Sequence, residues 1–433
     1  MNEPIYKQRR SKLLEMMDDG VAIITTAQLQ TRSNDTEYPF RPNSDFYYLT
    51  GFDEDNSTLV LFKKEGVLST TLFVQKKEPE LELWSGIRLG VEAAQERFSV
   101  DDIFESEALI TELKRLMKDQ DRLYIDLFSE EKLYGEIKKV AASLLHDRSV
   151  NRAPRSFHDI TALTQKMRLI KDDFEIIKMR EALAITASAH HHAMILVHPN
   201  MMEYQLQAEY EYIFKKEGAY SDAYTTIIAG GNNANTLHYI KNDQPLKSGD
   251  LVLVDAGCEY EMYASDITRT YPVDGKFTPA QIELYNMVLE VQLQIFELIK
   301  VGSSKKILQE HSERLLCEGM VALGILKGDV KTLLKEKKQK KYYPHGIGHW
   351  IGLDVHDPLP YKDENGDDML FEAGMVLTIE PGIYLPEDDR DVPKKYRGIG
   401  IRIEDNILVT PEGYENLSSH IAKTVQEIEA RCS

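Results

Sequence analysis

Apolar residues recur along this chain with two periods, and the change from one to the other marks its elements. Residues 21–24, 58–62, 71–74 and 122–125 are short runs rich in β-branched, aliphatic and aromatic side chains, which predicts strands. Between them, at 91–98, 109–117 and 132–145, apolar residues return every three or four positions, which predicts helices. This first part reads as an α/β domain. Periodicity lapses around Asn151-Arg152-Ala153-Pro154-Arg155, where proline disfavours helix, so a linker is expected between about 150 and 165. A long helical pattern starts at Asp173 and stops at His198-Pro199, and others follow at 203–217, 279–299 and 305–323. After Asp250, strand-like runs dominate and come as hairpin-like neighbours, which argues α+β rather than a doubly wound parallel sheet. The expected organisation is a smaller α/β domain over residues 1–160 followed by an α+β domain over 161–433.

Four carboxylates break the apolar pattern of the second domain. Asp255 ends the run Leu251-Val252-Leu253-Val254, Glu380 ends Val376-Leu377-Thr378-Ile379, and Glu404 follows Ile399, Ile401 and Ile403. Asp266 stands in the next strand-like stretch after Asp255. An ionised carboxylate in an apolar sheet is unstable unless something compensates it. Only Arg402 and a few histidines lie nearby in sequence, so bound metal ions are the simplest sufficient compensation. Strand alternation puts Arg402 and Glu404 on one face, opposite the isoleucines and about 7 Å apart. Thr378 and Glu380 share a face, as do Asp266, Thr268 and Thr270. Asp255 and Asp266 flank a short reversal through residues 257–262, so a hairpin would bring them together.

His349 is the best nitrogen donor. With His345 and His356 it makes three histidines within twelve residues, against 12 in the 433 of the whole chain. Charge counting favours two divalent ions, which balance four carboxylates and leave a bridging hydroxide for Arg402 to offset. Hard oxygen donors with one imidazole suit manganese, cobalt or iron(II), with zinc as the alternative.

Composition narrows the partners. The net charge of −19, from 52 basic and 71 acidic residues, argues against a nucleic-acid or anionic-membrane surface. Cys258, Cys317 and Cys432 are too few and scattered for a disulfide framework, and Cys258 reads as a small core residue. No signal-like start and no apolar run near the ~18 residues of a membrane span are visible, so a cytoplasmic protein is expected.

Other motifs are decoys. Gly346-x-Gly348 lacks the full dinucleotide-loop spacing and no strand precedes it. His345 and His349 have the spacing of a zinc helix, but two intervening glycines oppose helix. His190-His191-His192 fan around a helix and cannot meet one ion, and residues 335–341 read as a solvated basic loop. No nucleophile motif is present.

The motifs Val254-Asp255-Ala256-Gly257, Ser265-Asp266-Ile267-Thr268-Arg269-Thr270, His345 to Asp357, Leu377 to Tyr384 and Gly400 to Asp405 together resemble the family of aminopeptidase P, prolidase, methionine aminopeptidase and creatinase. All five of that family's ligand positions are occupied, by Asp255, Asp266, His349, Glu380 and Glu404. The segment Arg32 to Phe52 is similar to the corresponding stretch of the bacterial aminopeptidase P branch.

The resemblance implies a pita-bread catalytic domain and release of the N-terminal residue from Xaa-Pro peptides, usually with manganese. It implies that Asp266 and Glu404 bridge two metals, with Asp255 on one and His349 and Glu380 on the other. Glu380 would shuttle a proton to the leaving nitrogen, and His238 and His356 would lie beside the substrate. Arg402 would hold Glu404 or a neighbouring carboxylate. For His345 and Tyr384, substrate contact and plain packing are equal rivals. Trp84 either caps the site, in the same subunit or a neighbour, or packs in a core. Family members form homodimers or homotetramers. Prolidase activity is the main alternative and needs a cationic stop that sequence does not identify; phosphoester hydrolysis and a non-catalytic scaffold are more distant.

Overall fold

The β-branched runs of the first third pair into one six-stranded sheet. Its order is Asp102–Glu105, Val67–Val74, Thr58–Lys64, Gly20–Thr25, Arg122–Ile125, Ser156–Asp159. The computed structural model describes residues 3–128 and 131–432. The central strands pair antiparallel and the outer ones parallel. Helix Leu109–Met117 buries Leu113, Leu116 and Met117, and helix Glu131–Leu145 buries Ile137, Val140 and Leu144. These pack with Val21, Ile23, Leu123 and Ile125 from the sheet, as the two periods in the sequence require.

The chain divides into two compact units, Met1–Met167 and Arg168–Ser433. The stretch 150–165, expected as a linker, contains strand Ser156–Asp159 and the start of helix Thr161–Leu169. Pro154 stops helix there but leaves the following residues free to extend along Arg122–Ile125. Helix Glu3–Met16 has no clear apolar stripe because its buried face includes Arg9 and Arg10. Arg10 is satisfied there by Glu3 at 2.6 Å and by the carbonyl of Leu49 at 2.9 Å.

In the second unit, helix Asp173–Leu196 starts from a capping box of Asp172 and Glu175, and helix Pro279–Phe296 from one of Thr278 and Gln281. With helices Glu203–Lys216 and Lys305–Ala322 they share one large core with small antiparallel sheets. One sheet joins Ile227–Gly230, Leu251–Asp255 and Thr268–Pro272. Another joins Val376–Ile379, Asp405–Thr410 and Gly413–Asn416, and strands Gly382–Leu385 and Ile399–Arg402 form a pair.

Two buried polar side chains lock these sheets together. Gln292, on helix Pro279–Phe296, donates to the carbonyls of Ile379 at 3.0 Å and Ile403 at 3.1 Å, the residues just before Glu380 and Glu404. Arg269 donates to Asp405 at 2.7 Å and to the carbonyls of Glu404 at 2.6 Å and Ala422 at 3.0 Å. Lys423 adds a second cation 2.6 Å from Asp405. Burial alone would raise the Asp405 pKa, but Arg269 and Lys423 overcome it and hold the carboxyl down to about 2. Asp405→Asn leaves Arg269 buried without its counter-charge and is expected to cost about 3–5 kcal/mol in urea unfolding. The native carboxylate's contribution should be complete above its unfolded pKa near pH 4 and be lost as pH falls toward about 2.

Candidate metal centre

Each candidate ligand is fixed by backbone pairing. Asp255 is the last residue of its strand and lies opposite Thr268. Asp266 lies in the irregular stretch 265–267, where Asn406 clamps its main chain by accepting from its N–H at 3.2 Å and donating to its carbonyl at 2.6 Å. Glu404 N–H donates to the Thr268 carbonyl at 3.1 Å, and Glu380 N–H to that of Ile347 at 2.8 Å. The histidine segment runs against Val376–Ile379: Thr378 N–H donates to the His349 carbonyl at 2.8 Å, and His349 N–H to Thr378 Oγ1 at 3.1 Å. A Cβ on Gly348 would lie 1.8 Å from the Thr378 carbonyl oxygen, so this approach needs glycine.

These pairings turn Asp255, Asp266, His349, Glu380 and Glu404 into one cleft of about 520 Å³, also lined by His238, Lys305, His345, His356, Tyr361 and Arg402. Asp266, His349 and Glu404 each offer a donor atom within 4.8 Å of the others. The Tyr224 hydroxyl faces Asp255 Oδ1 and Asp266 Oδ1, both at 2.6 Å, and its one proton cannot neutralise two carboxylates. Burial, then the neighbouring carboxylates, push Glu404 well above its ordinary range. Burial also raises Asp255, against Arg402, and takes Glu380 up to about 7, against His349 and Arg402. Asp266 alone is lowered: burial pushes it up, but His349, Tyr224 and His356 together outweigh that. A cluster this short of positive charge, rich in oxygen and with one imidazole, fits hard or borderline divalent cations.

The histidines differ in protonation. His349 Nδ1 donates to the Trp350 carbonyl at 3.0 Å, which turns Nε2 toward Asp266 at 3.3 Å and Glu380 at 4.0 Å. Burial disfavours the imidazolium, yet Asp266 and Glu380 raise its pKa to about 9. His345 is pushed down to about 3 by burial and by Arg402. Its Nδ1 donates to the Gly346 carbonyl at 2.7 Å, so Nε2 accepts from the Tyr384 hydroxyl at 2.8 Å. Tyr384 in turn accepts from Arg402 at 2.9 Å. Tyr384 is 3% exposed and lies behind His345 rather than on the cleft wall.

Arg402 pairs with Asp255 at 2.6 Å and donates to Thr268, whose hydroxyl donates to Glu404 at 2.7 Å. Of the two options left by sequence, it grips the neighbouring carboxylate and reaches Glu404 only through Thr268. His356 packs edge-on to His349 with ring centroids 4.3 Å apart, and its pKa is lowered by burial and by His349. The next residue, Asp357, is held by Arg168 and, at 3.0 Å, by Lys171, all three buried. His238 is exposed at the rim. Trp84, on helix Pro79–Ser85 of the first unit, is 86% exposed and so is not packed in a core.

Several decoys resolve as expected. His190 contacts Tyr210 and the Ala256 carbonyl, His191 accepts from Ala422 N–H and His192 meets Glu209, three separate directions. Cys258 is a buried core thiol. The basic stretch is mostly exposed, as a solvated face is, with Lys340 paired to Glu313 and Lys341 to Asp389 and Asp391. Sequence reasoning missed Tyr224, Asn406, Lys305 and the Arg168–Lys171–Asp357 anchor. Asn406 had a signal, a third polar residue after Glu404-Asp405 at the head of an apolar strand; the others had none.

Residues 177–411 match the family described as metallopeptidase family M24, and residues 6–124 match the aminopeptidase P N-terminal domain. The chain belongs to metallopeptidase family M24. It is therefore a metal-dependent hydrolase, with a smaller N-terminal domain followed along the chain by an M24 pita-bread catalytic domain. It is 42% identical to the Xaa-Pro aminopeptidase of Escherichia coli (strain K12) and 41% identical to that of Haemophilus influenzae, in each case over 98% of this chain and 96% of the relative. The zinc-substituted E. coli aminopeptidase P in complex with product superposes with a TM-score of 0.96 at 40% identity, covering 100% of this chain and 98% of that one. Among the described residues, no helix is long and apolar enough to cross a membrane.

The charge pattern of this M24 site predicts a pH dependence. Glu380, raised to about 7, and His349, raised to about 9, both bind more protons folded than unfolded. Glu380 therefore weakens the metal-free protein as pH rises from its unfolded value toward 7, and the His349 contribution fades through about 9. Divalent metal should raise Tm more at about pH 8 than at about pH 6, measured by calorimetry; an increment that shrinks with pH contradicts this charge assignment.

Proposed function

We propose that this protein is a Xaa-Pro aminopeptidase, releasing the N-terminal residue from peptides with proline in second position. The observation that carries this is the donor set of Asp266, His349 and Glu404, within 4.8 Å of one another in a cleft shared with Asp255 and Glu380. Near-full-length relatives at 41–42% identity bear that activity in their names. In this reading the five residues hold two divalent ions, manganese first among the candidates. When bound, such ions supply Lewis acidity and make water nucleophilic near neutral pH.

The remaining roles fall to the chain's own groups. Glu380 accepts the proton of the attacking water and passes it to the proline nitrogen, which carries no hydrogen and must be protonated to leave. His238 and His356, on the cleft wall, stabilise the developing oxyanion or orient the leaving group. Arg402 fixes Asp255, and Tyr384 ties Arg402 to His345. We keep Trp84 as a substrate contact and a homodimer or homotetramer as the assembly; exposed Leu83 and Ile87 beside Trp84 favour a surface that is covered in use. A cytoplasmic location fits three free cysteines.

Metal-loaded protein is expected to cleave both a Xaa-Pro dipeptide and its extended form. A chelator should abolish release of the first residue and metal should restore it. Cleavage of the dipeptide alone would make the protein a prolidase instead. Glu380→Gln should lower kcat by about 100-fold or more; a variant with wild-type turnover would remove Glu380 from the proton path.

A further inference from the structure

The cleft contains a cation that the metal centre does not use. Lys305 is the first residue of helix Lys305–Ala322, half-buried, and its ammonium sits 3.9 Å from the centroid of the Tyr361 ring. Tyr361 is itself fixed by stacking on Trp350 and by accepting from Trp350 N–H at 3.3 Å. Among the described residues Lys305 has no hydrogen bond and no ion pair. The contrast with its neighbour is direct: Lys306 is a surface lysine 3.4 Å from Asp368.

Local structure does not account for this placement, and Glu380 attracts the ammonium only from a distance, with no ion pair formed among the described residues. The first turn of a helix disfavours a cation, because the backbone dipole is positive there. Arg402, the other permanent cation of the cleft, is fully engaged by Asp255, Thr268 and Tyr384. Lys305 is spared such engagement and lines the same cleft as His238, His356 and Glu380. A partly desolvated ammonium with only an aromatic face beside it is suited to an incoming anion.

We propose that Lys305 recognises the free C-terminal carboxylate of a Xaa-Pro dipeptide, and of the proline released from it. This rests on the peptidase reading above. It supplies the cationic stop that dipeptide cleavage requires, and it implies that the protein prefers a free acid over the corresponding amide at the proline. In longer peptides the same position holds a neutral peptide carbonyl, and Lys305 contributes less.

The test compares kcat/KM on a Xaa-Pro dipeptide with that on the Xaa-Pro amide, for wild-type metal-loaded protein, Lys305→Met and Lys305→Arg. Methionine keeps the stem against Tyr361 and removes the charge. The acid-to-amide ratio is expected to fall about tenfold in Lys305→Met, mainly through KM, and to recover in part in Lys305→Arg. Calorimetric affinities for L-proline and L-prolinamide should shift in the same ratio without any turnover. If Lys305→Met slows both substrates equally, the lysine merely balances Glu380 and the proposal is overturned. An unchanged ratio at unchanged rates overturns it too. Wild-type protein that cleaves neither peptide overturns the peptidase reading itself, and the role of Lys305 with it.

Discussion

Mutual repulsion among four clustered carboxylates is the constraint on which the catalytic unit depends. Asp255, Asp266, Glu380 and Glu404 face one cleft, and the counter-charges that contact them there are Arg402 and His349. Burial and repulsion raise three of the four carboxyl pKa values, so the protein must hold the site's geometry against the carboxylates' own electrostatics. It can do so because the backbone around each carboxylate is over-determined. Asn406 clamps Asp266, Gln292 caps the carbonyls before Glu380 and Glu404, and Arg269 bolts the Glu404 strand to Thr268.

The same arrangement links packing to chemistry. The hydrogen-bond acceptor of each histidine selects which ring nitrogen faces the cleft. His349 spends Nδ1 on the Trp350 carbonyl and presents Nε2 to the carboxylates, while His345 is held neutral by burial and by Arg402. Arg402, Tyr384 and His345 form a chain of donors and acceptors that runs from Asp255 to the glycine-rich segment. A change at Tyr384 would therefore act on two walls of the cleft at once, although the side chain itself is buried behind them.

Much of this was legible in the residues. A carboxylate at the end of an apolar run can be recognised without coordinates, because sheet interiors tolerate it only for a reason. Period-two and period-3.6 patterns located helix Leu109–Met117 and strand Arg122–Ile125 to the residue. Elements whose buried face is polar escaped: helix Glu3–Met16 hides Arg9 and Arg10, and helix Ser44–Thr50 is short and defined by its Asn43 cap and left-handed Gly51. Strand Ser156–Asp159 was masked by the proline before it.

The sequence by itself determined the chemistry available: which strands end in carboxylates, which histidine accompanies them, and that metal is needed to reconcile them. These are local properties, set by residue type and by the period of the backbone. Only the tertiary structure decided which groups meet. Tyr224 reaches Asp255 and Asp266 from 31 and 42 residues away, and Arg168 reaches Asp357 across 189. Lys305 enters the cleft because its helix begins there, although nothing in its neighbours distinguishes it from Lys306. Contacts across such separations depend on how sheets and helices stack, and no short-range pattern encodes that.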